Sequence, residues 1–314
     1  MKLSIKEVVS IAGSRADNPH RGFPERNSFR YIGQYFKPYF EPKFKINFST
    51  TKPIYTIGSC FAREIEDCLH ELGYNVPTKR YKAPEEIALG GRPNFGLNQF
   101  NPGCMGQTIL SALSDKKIQP CIYRTKQGEL IDLLLVGSPT VSANRIFQRH
   151  AEISKLYEDL KTAECLVLTL GLTECWYDTE NNVWLNRAPP LDDQTLNSDR
   201  FEFRILDYNE CIEVLEPALS ILDDLKIKTV ITVSPIPLLA TFTNGDCVVA
   251  NEFSKSTLRA VAGYFTNKYN YVDYFPAYEM VRHLGTNAYR EDNIHVSLEL
   301  VKIITDFMIN SYSK

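Results

Sequence analysis

The chain has no long apolar run. Nowhere do its 314 residues approach the roughly 20 consecutive apolar positions a membrane span needs, so no membrane span is expected. Nor does it carry an excess of positive charge. Lys and Arg number 35 against 38 Asp and Glu, a formal net charge of -3. A surface built for phosphate backbones is basic, so no nucleic-acid partner is expected. It also lacks any CxxC pair. The 8 cysteines stand at positions 60, 68, 104, 121, 165, 175, 211 and 247, which is neither a zinc signature nor a compact disulfide framework. The 5 histidines, at 20, 70, 150, 283 and 295, have no ligand spacing with one another or with cysteine, so no metal is expected. Internal repeats and low-complexity tracts are absent. The opening MKLSIKEVVSIAGSRA does not read as a signal peptide, because Lys6 and Glu7 interrupt it and the apolar run after them is short. The expected location is therefore the cytoplasm.

What the chain does have is core-forming material. Hydrophobic residues make up 44% and charged residues 23%, enough for a packed α/β unit. Residues 1–50 are punctuated by Pro19, Pro24, Pro38 and Pro42 and read as an irregular extension lying on a domain of residues 51–314. Within it, RGFPERNSFRYIGQYFKPYFEPKFKINF (21–48) interleaves cations with aromatics. That pattern suits a surface strap, and it also suits a face for single strands or sugars.

Residues 54–57 read as a short buried strand. Phe61, Ile65, Cys68, Leu69 and Leu72 then recur at helical spacing, closed by Gly73. Residues 78–142, rich in Gly, Pro and Asn, predict loops with short strands at 121–124 and 130–135, long enough to act as a lid. A helix fits 145–163, and CLVLTLG (165–171) is a buried strand. A helix at 208–225 carries Asp207 and Glu210 as a capping box, with Pro217 inside it as a possible kink. KTVITVSP (228–235) is a strand, Leu258, Val261, Ala262 and Phe265 mark a helix, and YNYVDYF (269–275) is another strand. Ser297 is placed to cap a last helix reaching about residue 311. Apolar strands alternating with amphipathic helices predict a mostly parallel sheet covered on both faces, a three-layer α/β/α sandwich.

Ligands of such sheets bind beyond the carboxyl ends of the strands. There the sequence places Gly58, Ser59 and Cys60; Gly171, Thr173 and Glu174; Ser234; and Asp292 with His295. A serine hydroxyl becomes a nucleophile when a base takes its proton, and His295 is the base in reach of neutral pH. Asp292 is the candidate partner for the second ring nitrogen. Donors for a developing oxyanion are expected at the start of the helix after Ser59. Taken singly, Ser59 reads as a helix N-cap, His295 as a structural histidine, and Gly171 with Glu174 as a turn. Their order along one sheet edge favours chemistry. Cys60 offers a second reading as a thiol nucleophile, since the helix dipole would lower its pKa.

GSCFA (58–62), LGLTECW (170–176), VSPIP (233–237), ANEFSKSTLRAV (250–261), YFPAYE (274–279) and EDNIHVS (291–297) resemble the blocks of the GSCFA family, whose domain is similar to SGNH hydrolases. Together they span roughly residues 51–300. The resemblance implies a flavodoxin-like fold, Ser59 as nucleophile, and Asp292 and His295 as the pair of the last block. SGNH enzymes complete the oxyanion hole with a glycine and an asparagine from their middle blocks. Here the third block reads Gly171-Leu172-Thr173-Glu174, with no asparagine. Thr173 is the hydroxyl donor left there, and Glu174 is expected to orient a substrate or another side chain. NFGLNQFNPG (94–103) offers Gly96 and Asn98, with Asn98 the expected side-chain donor.

The function implied is a serine-dependent O-acyl, chiefly acetyl, esterase or an O-acyltransferase acting on a carbohydrate or polysaccharide precursor. No cofactor is required, and acyl-CoA is the acyl donor of the transferase form. Phe95, Phe100, Trp176, Tyr177 and Trp184 fall near the expected site loops and suit stacking on sugar rings. The alternative from another class is a non-catalytic module that holds a glycan or an acyl group on the same fold.

Overall fold

The computed structural model describes residues 3–13, 22–25, 27–83, 91–190, 192, 195 and 199–314. Its first elements are α1 (Ile5–Gly13) and a hairpin of β1 (Tyr31–Ile32) with β2 (Tyr35–Phe36). There follow β3 (Ile54–Gly58), α2 (Cys60–Glu71), α3 (Pro102–Leu113), β4 (Ile122–Arg124), β5 (Leu130–Asp132) and α4 (Ala143–Leu156). The second half holds β6 (Cys165–Leu170), β7 (Glu174–Asp178), β8 (Val183–Leu185), β9 (Phe201–Ile205) and α5 (Tyr208–Asp224). It closes with β10 (Lys228–Val233), α6 (Cys247–Lys268), β11 (Val272–Tyr274), α7 (Ala277–Leu284) and α8 (Leu298–Tyr312).

Four of these strands make a parallel sheet in the order β3-β6-β10-β11. Every residue of β3 and β6 is buried, as strands covered on both faces must be. Alternation along the strands builds two cores. Tyr55, Ile57, Leu168 and Ile231 face α3, α5 and α6. Ile54, Val167 and Val230 face α2, α7 and α8. The result is a three-layer α/β/α sandwich. The chain after α2, which in a 2-1-3-4-5 order would return as a strand beside β3, instead runs through a 3-10 turn at Pro77–Arg80. The Ile54 N–H is satisfied by Asn75 O at 2.8 Å.

Local signals place most boundaries. Asp207 and Glu210 form the capping box of α5, which runs on through Pro217. Gly73, at φ 84°, ends the turn after α2. Other expected elements are shorter in the structure, for identifiable reasons. The helix read over 145–163 stops at Leu156, where the Tyr157 N–H is shared between Ile153 O and Ser154 O, and a 3-10 turn (Glu158–Thr162) follows. The strand at 228–235 ends at Val233 because Pro235 has no N–H to give. The one at 269–275 starts only at Val272, since Asp223 Oδ1 takes the Tyr271 N–H at 2.7 Å.

Several elements were not legible. Residues 78–142, read as loops with short strands, hold the helix α3, whose signals are the Asn101 cap accepting from Cys104 N at 2.9 Å and Pro102 in the first turn. The stretch read as a loop before Asp292 holds α7, whose start the preceding Pro276 marks. The stretch read as irregular before residue 50 contains α1 and the β1–β2 hairpin. Beyond β6, the strands β8-β7-β9 form an antiparallel sheet. Its signals are the period-two pattern of FEFRI and an Asn181-Asn182 turn with Asn182 at φ 54°. The strap lies against α7 and α8: Ile46 N bonds Tyr312 O at 2.7 Å, Phe36 packs on His283, and Phe40 meets Phe275 edge-on. No helix of the described residues is long and apolar enough to cross a membrane.

Candidate active site

Gly58 ends β3 at φ 152°, and a Cβ there would lie 1.8 Å from Thr169 Oγ1. Only glycine allows β3 to hug β6 and break directly into α2. Ser59 takes the N-cap position of α2, yet its side chain caps nothing. Its Oγ pairs instead with Ser234 Oγ at 3.1 Å, just past the end of β10. The first N–H groups of α2 are therefore uncapped by it, and they form the positive end of the helix beside the hydroxyl.

The histidine is held by a local turn. Arg290 N donates to His295 O at 2.8 Å, and Asn293 N to Arg290 O at 2.9 Å. Inside the turn, Asp292 Oδ1 accepts the N–H groups of Ile294 and His295, each at 2.9 Å. Asp292 Oδ2 accepts from His295 Nδ1 at 2.6 Å. That bond, followed by the two backbone bonds, holds the Asp292 carboxyl well below the usual carboxylate range. An ionised carboxylate only accepts, so the shared proton sits on Nδ1 and Nε2 is the basic nitrogen. The Arg290 guanidinium bonds Val296 O at 3.1 Å and pairs with Glu64 of α2, tying the histidine turn to the helix that begins at Ser59. Burial pushes the Glu64 carboxyl up, against the pull of Arg290 and His295.

Ser59, Cys60, Gly171, Glu174 and His295 line one cavity of about 370 Å³. Gly171 is there because nothing larger fits: a Cβ would lie 2.4 Å from Phe100 O. Glu174 grips the opposite loop, its Oε1 accepting from Thr241 Oγ1 at 2.6 Å and its Oε2 from Phe242 N at 3.0 Å. Burial raises the Cys60 thiol, Glu64 adds to that, and the nearby arginines Arg92 and Arg63 only partly oppose it. The thiolate, which is the reactive form, is thus disfavoured at Cys60.

Three other expected site residues do not line this cavity. Thr173 turns away from the cavity, its hydroxyl and its N–H both bonded to Ser254 Oγ of α6, at 2.8 and 2.6 Å. Asn98 reaches toward Cys60, with Nδ2 3.6 Å from Sγ, and it is fully buried. Asn98 and Gly96 line a neighbouring, smaller cavity of about 90 Å³. Among the five aromatics, Phe100 lines the serine cavity. Trp176 packs against Phe203 and Phe242, and Tyr177 pairs with Trp184 under Arg204. Phe95 sits in a 3-10 turn ahead of Asn98.

Ser234, read in the sequence only as a residue following a strand, meets Ser59 because β3 and β10 flank β6 in space. Sequence reasoning missed one support. Lys255, fully buried in α6, donates to Gly171 O at 2.8 Å and to Ile236 O at 2.7 Å, joining the loops that follow β6 and β10. Desolvation draws its ammonium down to about 7. A mid-helix lysine on an apolar face was the available signal.

These features define a three-layer α/β/α protein that gathers a serine and an Asp–His pair at the carboxyl edge of its parallel sheet. The model of the GSCFA family matches residues 53–307, and the chain belongs to that family. No curated protein matches it.

Proposed function

We propose that the protein is similar to SGNH hydrolases and is a serine-dependent acyl esterase or O-acyltransferase working through an acyl-enzyme on Ser59, the chemistry that such a likeness implies. One observation carries the reading. A serine at a helix N-cap position leaves the helix uncapped, pairs its hydroxyl with Ser234, and lines a cavity shared with a histidine whose other nitrogen is bound to aspartate. His295 Nε2 takes the Ser59 proton as Oγ attacks the acyl carbonyl, and Asp292 balances the imidazolium. The oxyanion forms against the uncapped N–H groups of α2. His295 then returns the proton to the leaving group. Water or an acceptor hydroxyl, such as that of a carbohydrate, releases the acyl group, and acyl-CoA serves as donor in the transfer form. The raised thiol of Cys60 disfavours it as the nucleophile. We assign the protein to the cytoplasm, where its eight free cysteines would stay reduced.

The test is release of p-nitrophenol from p-nitrophenyl butyrate. Turnover by the wild type should fall at least ~100-fold in Ser59→Ala and in His295→Ala, each with an unchanged melting midpoint. Undiminished turnover in Ser59→Ala would exclude the serine. A folded wild type inert toward esters but retaining glycans or fatty acids would favour the non-catalytic module.

A further inference from the structure

The lining of the serine cavity identifies what fills it. Of the described side chains that line it, only Ser59, Cys60, Glu174 and His295 carry polar atoms, and both Glu174 oxygens are engaged by the 241–242 backbone and hydroxyl. The same cavity is lined by Phe100, Leu172, Ile236, Leu238, Leu239 and Phe242. Such a wall offers sugar hydroxyls no side-chain partner, and an acetyl group would leave most of about 370 Å³ as wetted apolar surface. At its rim the apolar surface continues outward. Leu239 is 81% exposed and Phe242 54%, and a second depression sharing Glu174 leads on to Val249 and Phe253, 68% and 52% exposed. Large exposed side chains clustered at the mouth of a cavity mark a binding surface rather than chance.

We propose that the acyl group handled at Ser59 is a medium or long hydrocarbon chain, so that the substrate is a fatty acyl ester or thioester. The chain runs from Ser59 past Leu238 toward Phe242 and out over Val249. This rests on the acyl-enzyme reading of the site. Ser59 Oγ bonds to the acyl carbon, the C–O or C–S bond to the carrier breaks, and the carrier leaves with the proton that His295 took from Ser59. Glu174 and Lys255 act as positioning residues, fixing the two ends of the apolar loop at Phe242 and Ile236.

Two measurements separate this proposal from the catalytic one. The first follows kcat/KM of the wild type on p-nitrophenyl esters from acetate to decanoate, and on the acyl-CoA thioesters of the same lengths to identify the carrier. The second follows calorimetric binding of the matching free fatty acids to Ser59→Ala. Each methylene buried should raise kcat/KM, and tighten binding, by up to about fourfold until the chain outgrows the cavity. Leu239→Gln and Phe242→Gln should lower the ratio of decanoate to acetate turnover. Preference for acetate, with no binding of decanoate, would overturn the hydrocarbon assignment and leave the serine chemistry standing. Length-dependent binding without turnover of any ester would do the reverse. Failure of both would remove both.

Discussion

At the scale of single residues, the proposed chemistry depends on which hydrogen bonds a side chain declines to make. Ser59 has the position of a cap and does not cap. Asp292 spends one oxygen on two backbone N–H groups and keeps the other for His295 Nδ1. Asp292→Asn would preserve the first pair of bonds and present an amide N–H to the ring, forcing the proton onto Nε2. Turnover should fall by ~10³–10⁴-fold with the melting midpoint unchanged, because only the tautomer is wrong. A loss of only a few fold would mean that Asp292 merely shapes the turn. The meeting of Ser59 with His295 on one cavity, and the Asp292–His295 pair, were legible because each residue follows a recognisable element in the chain. Thr173 shows where such reading stops. Its hydroxyl is a fair donor in sequence, but Ser254, a distant residue of α6, already holds it. Asn98 was placed beside Cys60 and Gly96 on the adjoining cavity by the fold of the 94–103 loop, which has no periodicity to read.

At the scale of elements, the site is a matter of loops held at both ends. The loops after β6 and β10 meet through Lys255, and the loop after β10 is gripped again by Glu174 at the start of β7. Helix α2 is anchored in turn by Arg63, whose guanidinium bonds Thr56 O and Thr56 Oγ1, each at 2.8 Å, and pairs with Glu66 in the same buried place. Breaking such a buried pair one-sidedly is expensive, which keeps the helix start fixed behind Ser59. The folded protein binds the Lys255 proton more weakly than the unfolded chain, whose lysine titrates near 10.5. Between about 7 and 10.5 the unfolded chain therefore holds a proton that the folded one has released, and stability rises with pH. Urea unfolding of the wild type minus that of Lys255→Met should grow across this window, by at most about 1.4 kcal/mol per pH unit. A flat difference would show that Lys255 keeps an ordinary ammonium. The sheet and the helices of α2, α5 and α8 were legible from period and caps. The β7–β9 sheet was missed because its first strand overlaps a block read as a site loop.

At the scale of the whole molecule, a four-stranded parallel sheet with helices on both faces turns one edge into a workbench. Its sequential strand order brings residues 59, 171 and 234 side by side, with Asp292 and His295 arriving on the turn before α8. The strap through residues 31–48 covers α7 and α8 with aromatic rings and closes the core of that layer. Its mixture of cations and aromatics is accounted for by that packing: Arg30 lies over Phe36 and Lys37 over Phe307. The central claim is that this architecture activates one serine. It is tested most directly by incubating the purified protein with a fluorophosphonate and reading the intact mass, beside Ser59→Ala and His295→Ala. The account predicts a single adduct on the wild type, mapped to Ser59 by peptide mass, and none on either variant. A folded wild type that takes no label, or a label that persists in Ser59→Ala, would contradict it.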